Sequence, residues 1–264
     1  MLVPLLTNQF DLSVGNILTL GTIVIATCMA TYGFNNVLAL GVGVLACVVV
    51  GALNGWLVAY VGVNSLIATL GVGTALTGVI LGYTSGRSIV SGLPQIITDF
   101  GTGTVGPIPY VFLAALAIGL ALTYMIRYTP LGRKMVMVGS NPHAAWLVGI
   151  RVPRMILVSF MIGAAVCGLG GALQLAQTGA ANPTLGGSLT LPAFAAVFLG
   201  TTTIQPGRYN VAGTVVAVLF LGVLTSGFAL AGLPDWVNVI VNGAALVIGV
   251  AVSAVVSKAR RGSV

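Results

Sequence analysis

The sequence predicts an all-α, polytopic transmembrane helical bundle, and three observations carry that prediction. Charged residues make up only 5% of the 264 residues, while hydrophobic ones reach 58%. A water-facing domain carries roughly a quarter charged residues, so this chain lacks the charge to coat a solvated surface. Second, the apolar stretches run unbroken for about 20 residues, the length that crosses a ~30 Å hydrocarbon core. Third, they lack the apolar–polar alternation of membrane barrel strands. In lipid the backbone must satisfy its own polar groups, which leaves helices.

Eight candidate spans follow in order, at roughly 17–33, 37–60, 67–84, 110–127, 155–177, 190–203, 212–230 and 237–257, with about eight spans expected in one transmembrane domain over 1–264. The sixth is short, and is expected to tilt or to form a broken element with 179–189. Segment 85–109, with its Gly, Pro, Ser and Asp99, and segment 128–154, polar and basic, read as the two substantial non-spanning loops, with short helices expected in such loops. Alternation fixes an orientation. Arg127, Arg133, Lys134, Arg151 and Arg154 put 128–154 on the cytoplasmic side. Stepping forward places Arg208 inside, Asp235 outside, and the C-terminus with Lys258, Arg260 and Arg261 inside; stepping back places Arg87 and Asp99 outside. Nine of the ten basic residues then lie inside. The net charge of +7 is thereby explained by membrane topology, and nucleic acid is not expected as a partner.

Other features are structural in character. Cys28, Cys47 and Cys167 sit in apolar runs, with no metal or disulfide spacing. No basic stretch precedes the first apolar run, so no cleavable signal peptide is expected. Gly51-x-x-x-Gly55 and Gly78-x-x-x-Gly82 put small residues on one helix face, where backbones approach closely. Ordinary tight packing accounts for both.

The chemistry that is missing narrows the function. There is no Gly-x-x-x-x-Gly-Lys-Ser/Thr loop to cradle ATP. The acidic residues are Asp11, Asp99 and Asp235, there is no glutamate, and the one histidine is His143. Asp11 reads as lying at the N-terminal edge, so no ionisable group is expected within the membrane, which counts against ion coupling. No nucleophile–base set or carboxylate pair is available. A pore-former without an energy source or catalytic groups is expected to draw energy from a partner and to be no enzyme.

The cytoplasmic loop contains one punctuated element, Gly139 to Ile150. Asn141 is a good N-cap, Pro142 fits the first helical position, and Gly149 fits the position after the last turn. The short helix presents Ala144, Ala145, Trp146 and Leu147. It suits either a groove in a cytosolic partner or a place at the membrane interface with Trp146 among the headgroups; spacing leaves both open.

From about residue 10 to 257 the chain resembles the membrane permeases of ribose-type ATP-binding-cassette sugar importers. The resemblance rests on Asp11-Leu12-Ser13-Val14-Gly15, Gly51-Ala52-Leu53-Asn54-Gly55, Leu66 to Gly71, Tyr83 to Arg87, the Asn141-Pro142-x-Ala144-Ala145 to Gly149-Ile150 loop, Ala195 to Thr201, and Gly222-Val223-Leu224 to Gly227. It implies import across a bacterial inner membrane, with the C-terminus cytoplasmic. Two such permeases, identical or different, would form the pore. A cytosolic ATPase would hold ATP and Mg, this chain binding no cofactor, and a periplasmic or lipid-anchored binding protein would deliver the solute. The 139–150 loop matches the family's ATPase-contacting segment, and Ala145→Glu is then expected to uncouple transport. Arg87, the lone outside cation, is a candidate for docking the binding protein. Members usually carry one or two spans before the Asp-Leu-Ser-Val-Gly stretch, whereas ten residues precede Asp11 here, so an N-terminal span or two is expected to be missing. His143, Gln205 to Arg208 and Asn242 also depart from the common pattern.

A neutral, hydroxyl-rich solute suits amide and hydroxyl groups. Asn54, Thr69, Gln174, Asn238 and Asn242 are the candidate pathway residues, with Asn64, Ser65, Thr74, Thr77, Gln177, Asn182 and Thr201 as further polar groups in or beside spans. Interhelical hydrogen bonding is the competing account, and the stronger one for any single Ser or Thr. A buried amide costs more, so the Asn and Gln residues say more. Two rivals stand beside the sugar importer: a branched-chain amino acid permease of the same transporter class, and a self-sufficient facilitator or channel.

Overall fold

The computed structural model describes residues 1–205, 207–234 and 236–261, with side chains through Val252. Pro206 and Asp235 lie outside the described residues, as do the side chains of Lys258, Arg260 and Arg261 on which the C-terminal orientation rests. Among the described residues the regular structure is helical apart from one two-stranded hairpin and the isolated Ile89–Ala181 bridge. Its helices are α1 (Leu2–Leu6), α2 (Val14–Ala30), α3 (Asn36–Trp56, continued by a π-turn, Leu57–Val61), α4 (Ser65–Thr84), α5 (Gln95–Thr102), α6 (Tyr110–Tyr128), α7 (Pro130–Ser140), α8 (Pro142–Leu147), α9 (Val152–Thr178), α10 (Leu185–Gly200), α11 (Val211–Leu230) and α12 (Trp236–Arg261). The hairpin is β1 (Thr104–Val105) with β2 (Ile108–Pro109).

A helix lies on each of the eight apolar stretches. Five are long and apolar enough to cross a membrane: Asn36–Val61, α4, α6, α9 and α11. The apolar helices Val14–Ala30 and Leu185–Gly200 are shorter, and α12 is apolar over Trp236–Val252, the part whose side chains are described. The all-α polytopic bundle stands; among the described residues five of its helices have spanning length. The segments read as loops are partly helical. Thr129 caps α7 by accepting from the Gly132 N–H at 3.3 Å, with Pro130 in the first turn, a start signal that the charge of the region hid.

The chain divides into two compact units, residues 3–187 and the remainder. In the first, α2, α3 and α9 pack together. Gly51 and Gly55 face α9 so closely that a Cβ on Gly51 would lie 2.5 Å from the Ala164 Cβ, and one on Gly55 would lie 2.8 Å from the Leu157 Cα. Small residues let these backbones meet where lipid offers no hydrophobic drive for association. Cys47 is fully buried and its thiol donates to the Ile17 carbonyl at 3.3 Å, as a small packing residue should. By contrast, Gly78 and Gly82 on α4 meet nothing within 4 Å.

The entry into α2 is irregular. After α1 the chain turns at Asn8, with φ of 59°, and runs unhelical to Ser13. Side chains satisfy its amides: Phe10 donates to Ser65 Oγ at 3.2 Å and Leu12 to Thr69 Oγ1 at 3.0 Å, both on α4. Non-helical backbone persists in a membrane protein only where protein buries it or it lines a cavity; here α4 supplies the hydrogen bonds.

In the second unit Ala195, Ala196, Ala217 and Leu221 form the core. A Cβ on Gly200 would lie 2.6 Å from the Thr214 amide, so α10 and α11 nearly touch. Asn210 caps α11 by accepting from Gly213 N–H at 2.6 Å and also donates to the Gly200 carbonyl at 3.3 Å.

Candidate functional site

Helix α8 is fixed at both ends. The Asn141 side chain accepts from the Ala144 N–H at 3.0 Å and Pro142 occupies the first turn. At the other end Gly149 N–H donates to Trp146 O at 2.9 Å and Ile150 N–H to Ala145 O at 3.0 Å. Those two bonds form a Schellman stop, which needs a left-handed residue after the cap; Gly149 supplies it with φ of 81°. Ala145 is fully buried, as are Met135 and Val138 of neighbouring α7. Trp146, Leu147 and Val148 instead stand 64–67% exposed. His143 stacks on Trp146 with centroids 6.0 Å apart. Arg133, Lys134, Arg151 and Arg154 are all exposed around this helix. The result is a short helix with an apolar tip, flanked in sequence by four exposed cations.

A polar cleft of about 510 Å³ lies elsewhere in the same unit, between α2, α4 and residues 183–187. Asn16, Thr19, Thr74, Thr77 and Thr184 contribute its polar side chains, and none of its lining residues is charged. Thr77 Oγ1 lies 3.3 Å from Asn16 Oδ1 and 3.1 Å from the Gly73 carbonyl. Thr19 and Thr74 donate to the carbonyls of Gly15 and Leu70. Each such hydroxyl still offers its oxygen as an acceptor. A second cavity, of about 450 Å³, is walled by apolar groups such as Ile25, Leu40, Ile97, Phe100 and Leu173, and holds little for a polar solute. Among the described residues no group of three or more His, Cys, Asp or Glu is placed to hold a metal ion.

Residues 2–250 match the family described as the permease component of branched-chain amino acid transport systems. The chain is 34% identical to the ribose import permease protein of Bacillus subtilis, over 93% of this chain and 76% of that protein. It is 30% identical to the D-allose transport system permease protein of Escherichia coli, over 96% and 78%. The fructose import permease protein of Rhizobium meliloti is also 30% identical, over 94% and 71%. The chain belongs to this permease family. No solved structure matches it.

The permease distributes the residues singled out in its sequence unevenly. Asn141, Pro142, Ala144, Ala145, Trp146 and Gly149 all fall in or beside α8, but Ala145 points into the protein. Ala145→Glu would break the seat of the helix, so it tests packing rather than a contact; the exposed tip is Trp146 to Val148. Arg87 is exposed, just past α4, and two residues on Ile89 bridges to Ala181 beyond the end of α9. Arg87 and α8 therefore sit at opposite ends of α9, whose 27 residues span about 40 Å at ~1.5 Å each.

The pathway candidates are divided between the two units. Asn54 is fully buried and donates to Ser13 Oγ at 2.9 Å, while its Oδ1 is buried without a partner. Thr69 is fully buried and holds Leu12. Gln174 is half-buried on α9. Asn238 and Asn242, both half-buried, belong to the other unit, and Asn238 Oδ1 is buried without a partner. Asp11 corrects the expectation that no ionisable group is held inside. It is only 2% exposed and accepts from the Ser13 N–H at 2.9 Å and the Ser13 hydroxyl at 2.5 Å. The start of α2 favours a negative charge, and burial opposes it. Sequence reasoning missed Asn16, Thr19 and Thr184. Asn16 and Thr19, three apart on α2, share a face, a signal that an isolated scan for amides overlooks.

Proposed function

We propose that this permease is the membrane subunit of an ATP-driven importer and forms the pathway for a small neutral solute, a monosaccharide. The observation that carries the coupling is α8: a helix locked at both ends, seated through Ala145, with three consecutive apolar residues exposed beside four cations. An apolar tip of this kind suits the groove of a cytosolic ATPase, which would bind ATP and Mg in place of this chain. The sugars in the relatives' names, ribose, D-allose and fructose, supply the solute class. The uncharged cleft supports it, because a zwitterionic amino acid would find no charged partner there. Residues 1–264 would act as one permease domain crossing the membrane eight times, α2, α10 and α12 included, with the C-terminus in the cytoplasm. A second copy or a related permease would complete the pore, and Arg87 would meet a solute-binding protein on the outer side. Asn54 and Thr69 would shape the pathway from behind by holding residues 10–13; Gln174, Asn238 and Asn242 would contribute amides to it.

The test is co-purification from membranes with a cytosolic ATPase subunit of the same transporter class. The wild-type chain should retain the ATPase, and Trp146→Asp with Leu147→Asp should lose it while eluting as the same folded species. ATP-independent uptake by the chain alone in proteoliposomes would overturn the reading in favour of a facilitator.

A further inference from the structure

We propose that the cleft between the start of α2, the middle of α4 and residues 183–187 is an aqueous transit site for the hydroxyl groups of a neutral polyol or monosaccharide, with the Asn16 amide as its fixed polar point. This rests on the importer reading above.

Four observations carry it. First, two glycines bring their backbones close to the amide and leave it no room to turn away. A Cβ on Gly73 would lie 2.8 Å from Asn16 Nδ2, and a Cβ on Gly186 would lie 2.8 Å from Asn16 Oδ1. Two separate segments thus both present glycine to one side chain, and Thr77 adds a hydroxyl at 3.3 Å. Second, the remaining polar groups are hydroxyls whose protons are directed to helix carbonyls. Their oxygens remain acceptors, and the amide adds N–H donors, so the lining matches a sugar hydroxyl in both directions. Third, the volume of about 510 Å³ lies within the range of roughly 300–1,000 Å³ typical of small-molecule sites. Fourth, lipid does not account for this face. Thr74 and Gly78 are exposed on α4, and Gly78 meets nothing within 4 Å, whereas acyl chains are better met by bulky apolar groups such as Val79 and Ile67 on the same helix, 64% and 69% exposed.

The decisive measurement is thiol reactivity of the full-length permease in membrane vesicles. Thr74→Cys, Gly78→Cys and Val79→Cys are made singly and exposed to a charged, membrane-impermeant methanethiosulfonate from both sides. Background from the native Cys28, Cys47 and Cys167, all buried, is read from the wild-type chain. Only a thiolate reacts, and a thiol in lipid does not ionise, so an aqueous cleft should label Thr74→Cys and Gly78→Cys at least about tenfold faster than Val79→Cys. Thr74 and Gly78 are open positions, so each variant guards against misfolding of the other. Labelling of both as slow as that of Val79→Cys overturns the proposal. If the ATPase is retained in that case, the cleft alone is wrong; if the ATPase is lost while the cleft labels quickly, the importer reading fails instead.

Discussion

Gly51→Ala and Gly78→Ala add the same methyl group to two glycines with the same sequence pattern, and the structure assigns them opposite outcomes. On α3 the new Cβ would lie 2.5 Å from the Ala164 Cβ and 2.7 Å from the Phe160 carbonyl oxygen. Carbons in contact settle about 3.5–4.0 Å apart, so α3 and α9 must separate by about 1 Å. The backbone of Phe160 cannot rotate out of the way as a side chain would. Gly55, 2.8 Å by the same measure from the Leu157 Cα, lies one turn further along the interface and opens with it. Overpacking of this kind costs about 1–3 kcal/mol. On α4 the methyl at Gly78 meets nothing within 4 Å, and replacing a mid-helix glycine with alanine gains about 0.5–1 kcal/mol. The propensity gain is common to both helices, so the variants should differ by the overpacking cost, about 1–3 kcal/mol. Unfolding in mixed micelles at rising SDS fraction, followed by far-ultraviolet circular dichroism, reads this as midpoints on either side of wild type. A Gly51→Ala midpoint equal to wild type would refute the close α3–α9 approach. A Gly78→Ala midpoint as low as that of Gly51→Ala would show that the α4 face is packed against something.

Three further substitutions test local devices. Asn141→Ala removes the cap of α8 and should cost that helix about 0.5–2 kcal/mol, seen as faster hydrogen exchange at 144–148 with global unfolding unchanged. Gly149→Ala forces a side chain into the left-handed region at a cost of about 1–2 kcal/mol; exchange should quicken at the same amides, and Gly149→Asn should recover part of the loss. Asp11→Ala strands the buried N–H and hydroxyl of Ser13 and should lower stability by about 1–3 kcal/mol, whereas Asp11→Asn keeps an acceptor and should lose less in a thermal melt.

Whatever depends on periodicity and punctuation was legible in the sequence. The apolar stretches became helices at nearly the expected places, because span length and charge scarcity are set by the bilayer itself. Helix α8 was readable to the residue, since Asn141, Pro142 and Gly149 act through their own backbones and need no distant partner. What was not legible depends on which residues meet across the fold. The same Gly-x-x-x-Gly pattern is tightly packed at Gly51 and open at Gly78, and nothing in either stretch tells which. Asp11 looked peripheral because of its place in the chain, yet it is buried, and Thr69 of α4 and Asn54 of α3 hold the residues that follow it.

The pathway candidates illustrate the same limit more sharply. A scan for costly buried amides finds Asn54, and cost is the right physics, but the structure meets that cost on the Nδ2 side with Ser13 rather than with open space. Burial expense marks a residue that must be satisfied; it does not say whether protein or solute satisfies it. Thr69 is a second case: its hydroxyl donates to Ser65 O at 2.7 Å and accepts from Leu12 N–H, so both roles are taken by backbone. Asn16 is recognisable only by what surrounds it, the bare positions at Gly73 and Gly186, which lie 57 and 170 residues away in sequence. A site made by absent side chains on remote segments leaves no local signature, which is why the amide that borders open space was the one that composition and spacing did not single out.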